Sequence, residues 1–598
     1  MRPAVSLPSW DLKDLYRNPD DPQIENDLTS IRRQAQRYEK AYRRRIASGQ
    51  LSAKDFAKAT KKIEHLQETG ERVISYAHLL FATDTQNPQH GKLLTWIQEH
   101  LTESYKHLLF YEIELIQASD PTITTWLRSP FLSQYSRFME KIRKAAPHRL
   151  SEPEERILEE KSNTGIRAFQ RLFDETVSQM KCIVNKEGKE KSLSEQEALA
   201  LLYHPSRPLR KAAAGGFTKG LKGHARTLTF IFNQVIADHA SDDRLRRFIT
   251  PISSRNLANE IDPEVVETLL ATCESYYPIV ARYYQLKKRC MGVKTLYDYD
   301  RYAPIDSRST PISFESARDK ILLAFSGFSE EFKKIAALFF EKGWIDAAPH
   351  HGKRGGAFSH GMVPDHHPYI FVNYFGGPRD VMTLAHELGH GVHQWLSRSQ
   401  SYFNFNPPLT TSETASVFAE MLVFHQLKNE EKSRSRRLAL LMEKIEDGFA
   451  TLFRQVALCR FEQQAHAARR KEGELDANRI SRIWMDINQS MFQGSVHLTD
   501  NYKEWWMYIG HFIHSPFYTY AYAFGHLLVM ALYQKYLHEG VSFVTNYVSF
   551  LSAGDSQHPE KLLRNMMGID IRQASFWKGG LAGLEAMVDE AVSLADTL

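Results

Sequence analysis

Through most of the first 200 positions, apolar residues return at intervals of three and four among Lys, Arg, Glu and Gln, with few glycines between them. That spacing lays them along one stripe of a 3.6-residue helix, whereas a half-buried strand would need strict alternation. The region can bury its apolar surface only as packed amphipathic helices. Start signals agree: Ser52 ahead of Asp55, Ser151 ahead of Glu154 with Pro153 in the first turn, and Ser194 ahead of Glu197. Each has the spacing of a capping box or its Asp equivalent. A mainly α protein is expected, with one helical region over 1–203 and a second region over 204–598, their lobes interleaved.

Pro and Gly concentrate in 204–216, which reads as a turn or a joint between lobes. A second break, 292–313, carries aromatics, Pro and Asp before Ser313 can cap the next helix. The character changes most over 345–380, rich in Gly, Pro and His and containing the β-favouring run Tyr369-Ile370-Phe371-Val372-Asn373-Tyr374. A small β-sheet inside a helical protein is the economical reading.

Composition narrows the class without naming a partner. With 42% hydrophobic and 25% charged residues, wholesale disorder and fibrous repeats are excluded. A net charge of +5 over 598 residues is too slight for a dedicated nucleic-acid surface. The four cysteines are far apart and form no C-x-x-C pair, and the first residues lack the apolar core of a signal peptide. No apolar window is long enough to span a bilayer. A cytoplasmic protein with neither membrane nor nucleic-acid partners is expected, its oligomeric state left open.

Directly after the sheet candidate comes H-E-L-G-H at 386–390, with Asp380 placed to cap the helix that carries it. Residues four apart share a helix face, so His386 and His390 can offer two imidazole nitrogens to one Zn²⁺ ion. Glu387 projects beside them, where it can accept a proton from an attacking water and return it to a leaving amine. With 25 histidines in 598 residues, such a motif arises by accident in roughly 6% of chains like this one, so context must decide. A metzincin would place Gly and His where this chain has His393 and Leu396, so a third ligand must come from elsewhere. Glu413 stands 23 residues beyond His390, at a helix start that Ser412 can cap. The His₂Glu set leaves one position open to substrate. Glu420 is the rival ligand, favoured as a hydrogen-bond partner to a histidine, and His393 reads as a core residue.

These residues resemble the oligoendopeptidase F family, related to the thimet-oligopeptidase-like zinc peptidases. The likeness rests on 386–390 and S-E-T-A-S at 412–416, on K-R-G-G-A-F-S-H-G at 353–361 with the following strand, and on 511–525. It extends to W-D-L-K-D-L-Y at 10–16 and Y-A-P-I at 302–305, nearly end to end. It implies a large bilobed helical metallopeptidase with a small β-sheet beside a deep substrate channel, one zinc ion at its floor, and short peptides cut internally.

By the same resemblance Gly355, Gly356 and the strand from Tyr369 lie beside the substrate. Glycine permits close backbone approach, and a free strand edge can pair with an extended peptide. His360 is a substrate contact or a polar loop histidine. His511, Tyr518 and Tyr522 would donate hydrogen bonds to the substrate carbonyl and the oxyanion. Tyr518 and Tyr522 share a helical spacing that a core stripe would also show, and Tyr520 and His514 compete for the same roles. The expected function is a zinc-dependent oligoendopeptidase. The alternatives are a zinc aminopeptidase and a non-catalytic helical protein binding peptide or RNA.

Overall fold

The helix starts read from the sequence are made by the hydrogen bonds that define them. Ser52 accepts from the Asp55 N–H, Ser313 from that of Ser316, and Ser194 and Glu197 exchange both bonds of a capping box. These come from a computed structural model that describes residues 7–186, 188–305 and 311–598. Residues 306–310 of the 292–313 break, and 1–6, lie outside that description.

The architecture is mainly α, as expected, with two small sheets. Strands β1 (Cys182–Lys186) and β2 (Lys189–Leu193) form an antiparallel hairpin. Strands β3 (Ile345–Asp346), β4 (Phe358–His360) and β5 (Tyr369–Phe371) form a second sheet in the order β3-β5-β4. β5 runs parallel to β3 and antiparallel to β4. The strand expected at Tyr369 is therefore present, and it occupies the middle of its sheet.

The chain divides into two compact units, each assembled from three stretches. The first takes Met1–Ala146, Ser309–Leu427 and Tyr536–Ile569; the second takes Pro147–Arg308, Lys428–Lys535 and Asp570–Leu598. The expected division at 203/204 falls inside the second unit. In the first unit, the N-terminal helices Pro22–Tyr42 and Ala53–Thr83 share a core with the sheet. The 10–16 segment is part of that core, because Trp10 packs on Phe358, Tyr369 and Phe371 at ring-centroid distances of 6.4, 5.9 and 5.6 Å.

The joint expected over 204–216 needs correction. Only its first residues turn; Pro208 sits in the first turn of an uninterrupted helix, Arg207–Leu245. Two of its glycines serve packing. A Cβ on Gly216 would stand 2.4 Å from the Ile183 carbonyl oxygen, and one on Gly220 would stand 2.9 Å from Cγ of Met180. The helix lies directly on the β1 hairpin because no side chain intervenes.

Candidate metal centre

Helix Pro378–Ser397 carries the H-E-L-G-H residues, and helix Leu409–Glu430 carries Glu413 and Glu420. Asp380 starts the first helix from its third position rather than as the cap. Its carboxylate accepts from the Gly377 N–H at 2.8 Å and the Phe375 N–H at 3.0 Å, while Pro378 occupies the first turn. The second helix begins four residues earlier than a Ser412 cap would have it. The Pro408 carbonyl accepts from Thr411 and Ser412, so Ser412 is helical and Glu413 lies a turn further in.

The two helices meet at glycine. A Cβ on Gly389 would fall 2.6 Å from both the Ala415 carbonyl oxygen and the Ser416 Cα, so only hydrogen fits there. On its other side Gly391 admits the Phe339 ring and Ile370 of β5. This contact brings Glu413 over the imidazoles. Its Oε2 lies 3.3 Å from Nε2 of both His386 and His390, and all three ligand atoms fall within 4.8 Å of one another. An ion bound tetrahedrally at about 2.0–2.1 Å requires ligand atoms about 3.3 Å apart, so the donor set fits zinc in its chemistry and in both histidine–carboxylate separations.

The surroundings hold these atoms in place. Glu420 Oε1 sits 2.6 Å from His386 Nδ1, which leaves Nε2 aimed at Glu413; Ser416 Oγ donates to Glu413 Oε2 at 2.8 Å. Burial disfavours a charged His386, yet Glu413 and Glu420 override it and push its pKa up to about 10. Burial likewise opposes the Glu413 charge, and the two histidines hold its carboxyl well below the usual range. The pocket is built to hold positive charge. Glu387, on the same helix, is buried; burial pushes its carboxyl up, with His386 and His390 pulling the other way. His393 is a fully buried, neutral core histidine, its pKa pulled down to about 3 chiefly by burial.

A second histidine–carboxylate group, Asp14 with His366 and His367, is of another kind. His367 and Asp14 are in direct contact and the Tyr369 hydroxyl donates to Asp14 at 2.6 Å, so the group ties the N-terminal segment to the sheet.

The residues expected at the substrate separate. Tyr369 is fully buried in the central strand, with its hydroxyl on Asp14, and offers neither a free edge nor a free side chain. The outer edge belongs to β4. The Ile370 and Val372 N–H groups bond toward β3, so Tyr369 and Phe371 face β4, and the Ser359 peptide between them points outward. Gln394 Nε2 approaches the Ser359 carbonyl at 3.4 Å, and no described strand lies beyond. His360 turns its Nε2 to Ser75 Oγ at 2.7 Å. Gly355 and Gly356 have open space where a Cβ would stand, and Gly356 needs its φ of 83°. Asn373 braces this turn by donating to the Arg354 and Gly356 carbonyls, each at 3.0 Å.

In the second unit, His511, Tyr518 and Tyr522 come together. His511 Nε2 is 3.3 Å from the Tyr522 hydroxyl, and the Tyr518 ring is 5.1 Å from that of Tyr522 and 6.2 Å from His511. Their competitors are engaged elsewhere: His514 contacts Asp174 at 2.8 Å, and the buried Tyr520 hydroxyl accepts from Asn259 at 2.9 Å. Sequence reasoning missed the contact made by Gly389, although a glycine inside the H-E-L-G-H helix was a visible signal.

Residues 200–580 match the family described as Peptidase family M3, and residues 114–181 match that described as Oligopeptidase F. Oligopeptidase PepF of Bacillus subtilis is 26% identical, covering 98% of this chain and 87% of its own length. An oligoendopeptidase F homolog of Borreliella burgdorferi is 28% identical over 94% of each chain. Among solved structures, one from Chlamydophila abortus superposes with a TM-score of 0.87 at 24% identity over 98% of both chains. Oligoendopeptidase-F from Enterococcus faecium gives 0.73 at 22% identity, covering 97% of this chain and 100% of that one. Both structural likenesses speak for the fold.

Proposed function

This chain is a member of peptidase family M3, and from that premise we propose that it is a zinc-dependent oligoendopeptidase cutting internal bonds of short peptides. The observation that carries the reading is the convergence of His386, His390 and Glu413 on one point with Glu387 buried beside it. A zinc ion held there supplies Lewis acidity, drawing charge from a peptide carbonyl and making a nearby water more acidic.

The chain's own residues do the rest. Glu387, its proton affinity raised by burial, takes a proton from the attacking water and delivers it to the departing amine. Glu420 keeps His386 in the tautomer that presents Nε2. The outward edge of β4 and the open Gly355–Gly356 turn suit an extended peptide, whose main chain can pair there whatever its side chains. His511, Tyr518 and Tyr522 are assigned to hydrogen bonding the substrate carbonyl and the oxyanion. The four cysteines, all free, fit a reducing cytoplasm.

The test combines metal analysis of the purified chain with hydrolysis of an internally quenched peptide, free and N-acetylated. Bound zinc, chelator-sensitive cleavage and internal fragments from both peptides are expected. Cleavage only of the free peptide would make it an aminopeptidase, and absence of both metal and zinc-restored turnover would remove the enzymatic reading.

A further inference from the structure

Tyr518 follows a turn that the chain does not adopt unaided. Phe517 has a φ of 59°, in the left-handed region, where a bulky side chain is strained. Its ring is fully buried, with centroids 4.7 Å from His466 and 5.7 Å from His239. Such strain persists only where neighbours over-determine it.

The neighbours are identifiable. The Phe517 N–H donates to Oε1 of Glu462 at 2.8 Å, and Glu462 is fully buried on helix Phe453–Glu472. Among the described residues its Oε2, also buried, meets no hydrogen-bond partner. Burial pushes its pKa up to about 8, which the Phe517 N–H and Arg255 oppose. From the other side, Arg255 Nε donates to the Pro516 carbonyl at 3.2 Å, and its guanidinium lies 5.6 Å from the Tyr518 ring centroid. Residues 516, 517 and 518 are thus each gripped, and Tyr518 is delivered onto Tyr522 and His511.

We propose that Glu462 is a positioning residue: by holding the Phe517 N–H it keeps the left-handed turn that places the Tyr518 phenol in the His511–Tyr518–Tyr522 cluster. The catalytic consequence rests on the function proposed above; the positioning itself does not. A buried carboxyl that accepts one N–H should be replaceable by an amide, whose carbonyl accepts the same bond, but not by an alkyl chain.

The experiment places 3-fluorotyrosine at position 518 and follows its ¹⁹F resonance in the full chain together with kcat and KM on a quenched peptide. Glu462→Leu is expected to shift or broaden the resonance and lower kcat by on the order of tenfold or more, with KM within about twofold. Glu462→Gln is expected to keep the parent resonance and stay within about threefold of the parent kcat. If Glu462→Leu does not fold, Glu462→Met, nearer to glutamate in length and likewise without an oxygen to accept the Phe517 N–H, takes its place with the same expected and overturning outcomes. A parent resonance in a folded Glu462→Leu variant, or an equal shift in Glu462→Gln, overturns the proposal. A moved resonance with unchanged kcat upholds the positioning role and instead removes Tyr518 from catalysis, an outcome that Tyr518→Phe checks directly.

Discussion

A β-carbon on Gly389 would stand 2.6 Å from the Cα of Ser416, so these two residues mark where the helix of His386 and His390 and the helix of Glu413 touch backbone to backbone. The separation that lets one carboxylate oxygen sit 3.3 Å from two imidazoles follows from that contact. Gly389→Ala must push the helices apart, because its obstacles are backbone atoms with no rotamer to yield. A loss of about 1–3 kcal/mol in stability is expected, with zinc affinity down by on the order of tenfold or more. Titration against a competing chelator, beside a thermal melt, measures both. Parent zinc affinity in this variant would break the link between helix contact and metal geometry.

Glu387→Gln should retain zinc and lose turnover. The amide preserves volume and leaves all three ligands in place, but it cannot take a proton from water, and such proton transfer contributes about 10²–10⁴-fold. Metal content and single-turnover rate of the same preparation provide the check, and near-parent cleavage would assign the base elsewhere.

Glu413 and Glu420 should behave differently although both meet His386. Glu413→Ala removes a ligand oxygen and should abolish tight zinc binding. Glu420→Gln leaves the three ligand atoms and should weaken zinc by about 10–100-fold, the usual cost of losing an outer partner. Dissociation constants for both variants decide it; the reverse order would make Glu420 the ligand.

Acid should loosen the first unit partly through His360. Burial, with His78 adding to it, pulls the His360 pKa from 6.5 down to about 4. Between those values the unfolded chain binds the extra proton, so stability falls as pH drops through this window and is fully present above it. His360→Gln should reduce the loss of melting temperature between pH 7.5 and 5, a difference worth about 1–2 kcal/mol. Equal losses in parent and variant would show that His360 is not protonated on unfolding in this range.

Much of the molecule was legible before any coordinates. Three- and four-residue periodicity, the Ser caps and the i, i+4 histidines are local properties, settled by helix sterics within a turn or two. The same physics made Glu413 and Glu420 candidates together, since seven residues along a helix return to one face. Which of them meets Nε2 and which meets Nδ1 of His386 depends on where two helices cross, and Gly389 against Ser416 sets that depth. Gly215 and Gly216 looked like a joint because loose turns and tight packing both select glycine; only the Ile183 carbonyl against Gly216 distinguishes them. The run at Tyr369 declared itself a strand, yet its place in the middle of the sheet required β3 and β4 on either side, from residues 345–346 and 358–360. Local conformation, and the side chains offered as candidate ligands, were determined by the sequence itself. Strand order, the crossing of the helices that carry His386 and Glu413 and the grip of Glu462 on Phe517 were decided by tertiary packing, because distances between elements far apart in the chain depend on every side chain packed between them.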